Sequence, residues 1–167
     1  MYKIGDKILY GAVGIMEIVD IESRELFGTE KTYYVLREIL ASADSKTYVP
    51  LDNERLVSQM HPLLTSEEIF AVLDMAKSAP EIEWESNNRL RSEHYRSIME
   101  SGDRLSLISM IKSIITMGVL RAKEGKKNYI ADDTAMRRAV KLLSLEISLC
   151  INIPQADAER LLFSKIN

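Results

Sequence analysis

Pro80-Glu81-Ile82-Glu83-Trp84-Glu85-Ser86-Asn87-Asn88-Arg89-Leu90-Arg91 contains the one tryptophan of the 167-residue chain and lies where the pattern of the sequence changes. Before it, apolar residues alternate as in strands; after it, they recur at the three-to-four-residue spacing of a helix face. The chain therefore reads as an α+β fold. A small antiparallel β module, SH3- or Tudor-like in size, is expected over residues 1–60, and an all-α bundle of about five helices over residues 61–167.

Working back from the junction, Ile4, Ile8 and Tyr10 are expected on one side of a first strand, and Gly11 and Gly14 bracket a tight connection. Residues 15–22, rich in β-branched side chains, read as a second strand and residues 32–40 as a third, joined by a turn over residues 27–31. A small, polar loop over residues 41–45 leads to a fourth strand over residues 46–50, ended by Pro50, which has no amide hydrogen for a ladder. Residues 53–57 suggest a short fifth strand.

Thr65-Ser66-Glu67-Glu68 is a helix-start signal: a hydroxyl to cap, and acids suited to the positive end of the helix dipole. Ile69, Phe70, Val72, Leu73 and Ala76 form the expected buried face of that helix, which Ser78-Ala79-Pro80 ends. Ser86 or Asn87 is placed to cap the next helix, with Leu90, Tyr95, Ile98 and Met99 inward. Gly102 supplies a left-handed stop and Asp103 a new cap, opening a strongly apolar helix over residues 104–122. A basic loop around Lys126 and Lys127 precedes a fourth helix beginning at Asp132-Asp133, and Pro154 fits the first turn of a last one.

The net charge of −3 gives no global attraction to nucleic acid or membrane. Locally the balance differs. Residues 84–127 carry nine basic and five acidic residues, a balance of +4, leaving −7 for the remainder. Cys150 is alone, so no internal disulfide is expected, and a reducing, cytoplasmic setting is the simpler assumption. The N-terminal residues lack the apolar core of a signal peptide, and no apolar run is expected to cross a bilayer.

No pair of residues reads as a catalytic set. His61 and His94 lie in different segments without metal-ligand spacing, Gly11 and Gly14 lack the context of a phosphate loop, and Cys150 among Leu149, Ile151 and Ile153 reads as an inert buried thiol. The expectation is a binding protein without cofactor or metal, not an enzyme.

The candidate interaction surface is Trp84 with Arg89, Arg91, Lys126 and Lys127. Cations lower the cost of approaching phosphates, and a large flat ring among them can stack on a base or wedge into an opened step. The competing reading packs Trp84 where the preceding helix meets the bundle and leaves the arginines solvated. Residue chemistry alone leans towards packing, because Glu81, Glu83 and Glu85 repel phosphate. In the β module, Arg24, Lys46 and Tyr48 near strand ends form a second candidate surface, where an exposed edge could accept a partner strand.

Ile4-Gly5-Asp6-Lys7-Ile8-Leu9-Tyr10, Gly14-Ile15-Met16-Glu17-Ile18-Val19-Asp20-Ile21, Tyr34-Val35-Leu36 and Tyr48-Val49-Pro50 together resemble the CarD/CdnL family of bacterial transcription regulators. The same β module occurs in the transcription-repair coupling factor. The second half resembles the family's helical domain in four features: Trp84 after the first helix, the arginines behind it, Ser101-Gly102-Asp103 opening an apolar helix, and the lysine-rich loop. The resemblance spans essentially the whole chain.

It implies a monomeric regulator whose Tudor-like module pairs strand to strand with the β subunit of RNA polymerase. The helical domain would reach promoter DNA at the upstream edge of the transcription bubble. Carried over by position, Arg24, Leu26, Lys46 and Tyr48 contact polymerase; Trp84 wedges into the minor groove and stabilises the open promoter complex; Arg89 and Arg91 contact phosphate, with Lys126 and Lys127 behind them. The sequence departs from its relatives where Glu85 to Asn88 separate the tryptophan from the first arginine, and at Tyr48, where some relatives carry Arg. A protein–protein adaptor of polymerase that never touches DNA is the alternative.

Overall fold

The computed structural model describes residues 1–26, 28–40 and 45–167, with the backbone alone at Leu26. The chain divides into two compact units, Met1–Leu63 and Leu64–Asn167.

The first unit is a five-stranded antiparallel sheet in the order β4-β3-β2-β1-β5. Its elements are β1 (Lys7–Tyr10), β2 (Gly14–Leu26), β3 (Thr29–Glu38), β4 (Lys46–Pro50), a one-turn helix α1 (Glu54–Val57) and β5 (Met60–Pro62). One face carries the core: Ile8, Tyr10, Met16, Ile18, Tyr34, Leu36, Val49 and Met60. Strict alternation along β2 would turn Ile18 and Ile21 to opposite faces. A register shift between Ile18 and Asp20 inserts one residue, bends the strand and brings Ile21 against the same core. The expected second strand is present and longer, whereas the third starts at Thr29 and ends at Glu38. Residues 29–31 of the expected turn are therefore paired strand, and Ile39 and Leu40 lie beyond it; the two strands form a hairpin paired out to Leu26 and Thr29.

Three further expectations for this unit need correction. Residues 53–57 are no strand: the Asn53 side chain accepts a hydrogen bond from the Leu56 amide (3.2 Å), a local bond that offers the backbone a helical turn instead. The fifth strand is β5, pairing Tyr10 with Met60 and Leu9 with His61, so His61 is a strand residue and the first unit runs past residue 60. Ile4 lies in a turn and is exposed. The expected turn residue Phe27 and residues 41–44 of the expected loop lie outside the described residues.

The second unit holds α2 (Ser66–Ala76), α3 (Asn88–Ser101), α4 (Arg104–Lys123), α5 (Ile130–Ile151) and α6 (Gln155–Ile166). Thr65 and Glu68 close a reciprocal capping box at the start of α2, Asn87 caps α3, and Asp103 caps α4. Gly102 ends α3 at φ 66°, a left-handed conformation that a side chain disfavours. α5 begins two residues earlier than expected, so Asp132 lies inside its first turn and is buried.

α4 is long and apolar enough, by length and composition, to cross a membrane, contrary to the expectation from the sequence. In this unit it is a core helix, with Leu107, Ile108, Met110, Ile111 and Ile114 buried and α2, α3 and α5 packed against it. α5 lies beside it with a buried face through Asp132, Ala135, Ala139, Leu142, Leu143 and Glu146. An acid thus stands near each end of that face, and each meets an arginine from another helix: Arg91 of α3 and Arg104 of α4. Phe70 (48% exposed) and Leu90 (50%) were expected inside but face outward.

Candidate functional site

In the first unit the candidate surface is the outer edge of the sheet. β4 pairs with β3 in the register Tyr34↔Val49, Val35↔Tyr48 and Leu36↔Thr47. One step further, the Leu51 amide donates to Thr32 O (2.9 Å). Hydrogen-bonding pairs alternate along an antiparallel ladder, so Leu51, Val49 and Thr47 turn their backbone groups towards β3. Lys46 and Tyr48 turn theirs to the open side, beyond which no further strand pairs among the described residues.

The side chain of Tyr48 points away from the core that Val49 enters, and is 36% exposed. Arg24 reaches it from β2: the guanidinium lies 4.1 Å from the Tyr48 ring centroid and donates from Nη2 to the hydroxyl (2.8 Å), while Nε donates to Glu22 (2.5 Å). Tyr33 meets the Tyr48 ring edge-on. Arg24 and Tyr48 are therefore one surface feature, and Lys46 follows on the same strand, exposed. The Leu26 side chain lies outside the described residues.

In the second unit the candidate surface gathers around Trp84, in the irregular segment between α2 and α3. That segment is fastened to α4. Lys112 Nζ donates to the carbonyls of Ala76 (3.3 Å), Lys77 (2.8 Å) and Ala79 (2.6 Å), placing a cation at the negative end of α2. The Ile82 amide donates to Ser113 Oγ (2.7 Å), and Thr116 Oγ1 donates to Glu81 (2.8 Å).

Beyond the tryptophan the fastening passes to Arg91. It donates from Nε and Nη2 to the two carboxylate oxygens of Asp132 (2.9 and 3.3 Å), from Nη1 to Glu85 O (2.7 Å) and from Nη2 to Asn88 (2.8 Å). Its guanidinium lies 4.3 Å from the centroid of the Trp84 indole and 4.9 Å from that of Tyr129.

Trp84 is accordingly half-buried, neither sealed in the core nor free. Arg91, expected to meet phosphate, is 2% exposed and bound to Asp132, and this expectation is corrected: a buried, fully engaged guanidinium is not offered to a ligand. The spacing carried the signal. Arg91, Tyr95 and Ile98 follow the i, i+4, i+7 rule of one helix face, and all three are buried. Burial, reinforced by the Asp132 charge and opposed by that of Arg91, pushes the Tyr95 phenol up to about 12.

Arg89 sits on the outer face of α3 with its side chain 86% exposed, in an i,i+4 pair with Glu93. The lysine loop is brought to the same cluster by residues the sequence reading passed over. Arg121 lies 4.0 Å from the Tyr129 ring centroid and donates to Lys127 O (2.9 Å). Gly118 makes room for the loop's return, since a Cβ there would stand 2.9 Å from Asn128 Oδ1. Lys126, exposed, pairs with Glu124, and Lys127 is exposed.

Trp84, Arg91, Tyr129 and Arg121 thus form a ring-and-guanidinium chain joining the tryptophan to the Lys126–Lys127 loop. Of the three acids beside Trp84, Glu81 is held by Thr116, Glu85 accepts from the Asn87 amide (2.7 Å), and Glu83 is exposed. The local excess of positive charge is smaller at the surface than in the sequence, because Arg91 and Arg104 are neutralised by buried acids and Lys112 is engaged with carbonyls.

A small, bent antiparallel sheet with an open edge strand defines the first unit as a Tudor-like interaction module. Residues 2–62 match the family model for the CarD-like/TRCF RID domain. The first unit is thus a CarD-like/TRCF RID domain, an RNA polymerase-interacting domain. Residues 63–167 lie outside the matched span.

Proposed function

We propose that this protein binds the β subunit of RNA polymerase through the edge of β4 and promoter DNA through the surface around Trp84, stabilising the open complex by binding, without catalysis. The observation that carries the DNA half is the mounting of Trp84: a half-buried indole, stacked on a guanidinium and fastened on both sides, at the head of a surface bearing Arg89, Lys126 and Lys127. Such a ring can enter a step that melting has already opened, where stacking on a base contributes about 1–3 kcal/mol. The cations around it supply attraction to phosphate that does not depend on sequence.

The polymerase half is supported by the outward backbone groups of Lys46 and Tyr48 and by the joined Arg24–Tyr48 feature beside them. A partner strand added there would gain main-chain hydrogen bonds, with Pro50, which has no amide hydrogen, limiting the length of the pairing.

Footprinting of a promoter–polymerase complex with and without the protein tests the DNA half. Protection or altered melting at the upstream bubble edge supports it. A complex that contains the protein but shows an unchanged footprint at every salt concentration supports the adaptor instead. The acids around Trp84 are the feature that favours the adaptor, and exposed Glu83 is the one it rests on most.

A further inference from the structure

Asp132 is buried, yet it grips Arg91, the side chain that holds both the Trp84 indole and the backbone just after it. Its carboxylate takes two of the guanidinium hydrogen bonds of Arg91, 41 residues away in the chain, and so sets the plane of the group. With that plane set, Nη1 holds Glu85 O, one residue after the tryptophan, and one face of the guanidinium system lies against the indole. On the other side Ser113 holds the Ile82 amide, two residues before it. The segment that carries Trp84 is irregular, so no helix or strand ladder fixes the ring. We propose that Asp132 is a positioning residue for Trp84, acting through Arg91 to hold the indole ready before DNA arrives.

The arrangement has a physical purpose beyond packing. An unrestrained surface tryptophan collapses onto nearby apolar groups and loses rotamer freedom only on binding, a cost of affinity that preorganisation removes. A bare buried pair is a weak source of stability, because desolvation opposes the attraction. Asp132 and Arg91 gain less from each other than from what Arg91 then does to the loop. Tyr129 extends the same control to the basic loop, its ring lying near both Arg91 and Arg121. This inference rests on the wedge reading of Trp84 for its consequence in transcription, but not for its consequence in the free protein.

The test uses the full chain, in which Trp84 is the only tryptophan and therefore a direct reporter. Asp132→Asn removes the charge and nearly keeps the shape. Because an uncompensated buried arginine can unfold the bundle, the double variant Arg91→Met, Asp132→Leu is made beside it, replacing the pair with apolar groups that packed interiors tolerate. With helicity retained, collisional quenching of Trp84 fluorescence should rise roughly twofold in the double variant as the stacked ring face is freed. Open-complex lifetime should fall roughly two- to tenfold, the range that ordering one side chain is worth. In a Trp84→Ala background the same changes should have no further effect.

Unchanged quenching in a folded double variant overturns the proposal, as does an equal loss of lifetime in the Trp84→Ala background. If Trp84→Ala alone leaves the lifetime unaltered, the wedge reading fails, and the quenching result then decides the positioning claim by itself.

Discussion

The Arg91 guanidinium lies 4.3 Å from the centroid of the Trp84 ring while Asp132 grips its Nε at 2.9 Å, so the residue behind the tryptophan is a mount and not a phosphate contact. Two arginines two positions apart, Arg89 and Arg91, lie on opposite faces of α3 and thereby acquire opposite roles, and substitution separates them. Arg91→Ala leaves the Asp132 carboxylate buried without its partner and should destabilise the helical unit by about 3–5 kcal/mol in chemical denaturation. Arg89→Ala should move stability by no more than about 0.5 kcal/mol. It should instead lower the salt slope of binding to the polymerase–promoter complex by about 0.9, the share of one phosphate contact.

The open edge of β4 makes a prediction with alternating sign. Lys46→Pro removes an amide hydrogen that faces away from β3, so the module should remain folded while polymerase binding weakens at least tenfold, on the order of 1.4 kcal/mol for a lost main-chain bond. Thr47→Pro removes one that faces β3 and should instead lower the melting temperature of the module itself. A pull-down on a polymerase β fragment, read beside a thermal scan, distinguishes the two.

Lys112 should prove structural although it belongs to the basic stretch. Lys112→Met withdraws the donor from three carbonyls at the end of α2 and should cost about 1.5–3 kcal/mol, as charged hydrogen bonds do. Hydrogen exchange should quicken at the Ile82 amide, because the segment it belongs to is fastened at the same place.

Cys150 donates to Leu64 O (2.8 Å), and burial followed by the nearby Glu146 charge pushes its thiol up to about 11 from an ordinary 9.0. The folded state thus favours the protonated form, so the stability this group contributes is complete below pH 9 and is lost as pH rises from 9 through 11. Native protein at pH 8 should resist alkylation at Cys150, and denaturant should expose it.

What was legible in the sequence follows from which forces are local. The capping residues Thr65, Asn87 and Asp103, the stop at Gly102 and the proline end of β4 act within a turn of the chain, and each could be read there. β5 could not, because Met60-His61-Pro62 is too short for alternation and becomes a strand only by pairing with β1. Asp132 reads in the sequence as an ordinary first-turn acid; its partner lies 41 positions away, and only tertiary packing joins them. Arg91 was legible in part: its spacing from Tyr95 and Ile98 puts it on the inner face, but a charged residue there is set aside unless a buried acid is known to await it. Tyr129 and Arg121 gain their meaning from the return of the loop past Gly118, which no local pattern announces.

The central claim is that Trp84 acts on the bubble edge, and the lifetime of open promoter complexes formed with saturating Trp84→Ala protein tests it most directly. The account predicts polymerase binding equal to wild type and an open-complex lifetime shortened at least about fivefold, the lower end of what one stacked base is worth. Equal polymerase binding with an unshortened lifetime would contradict it.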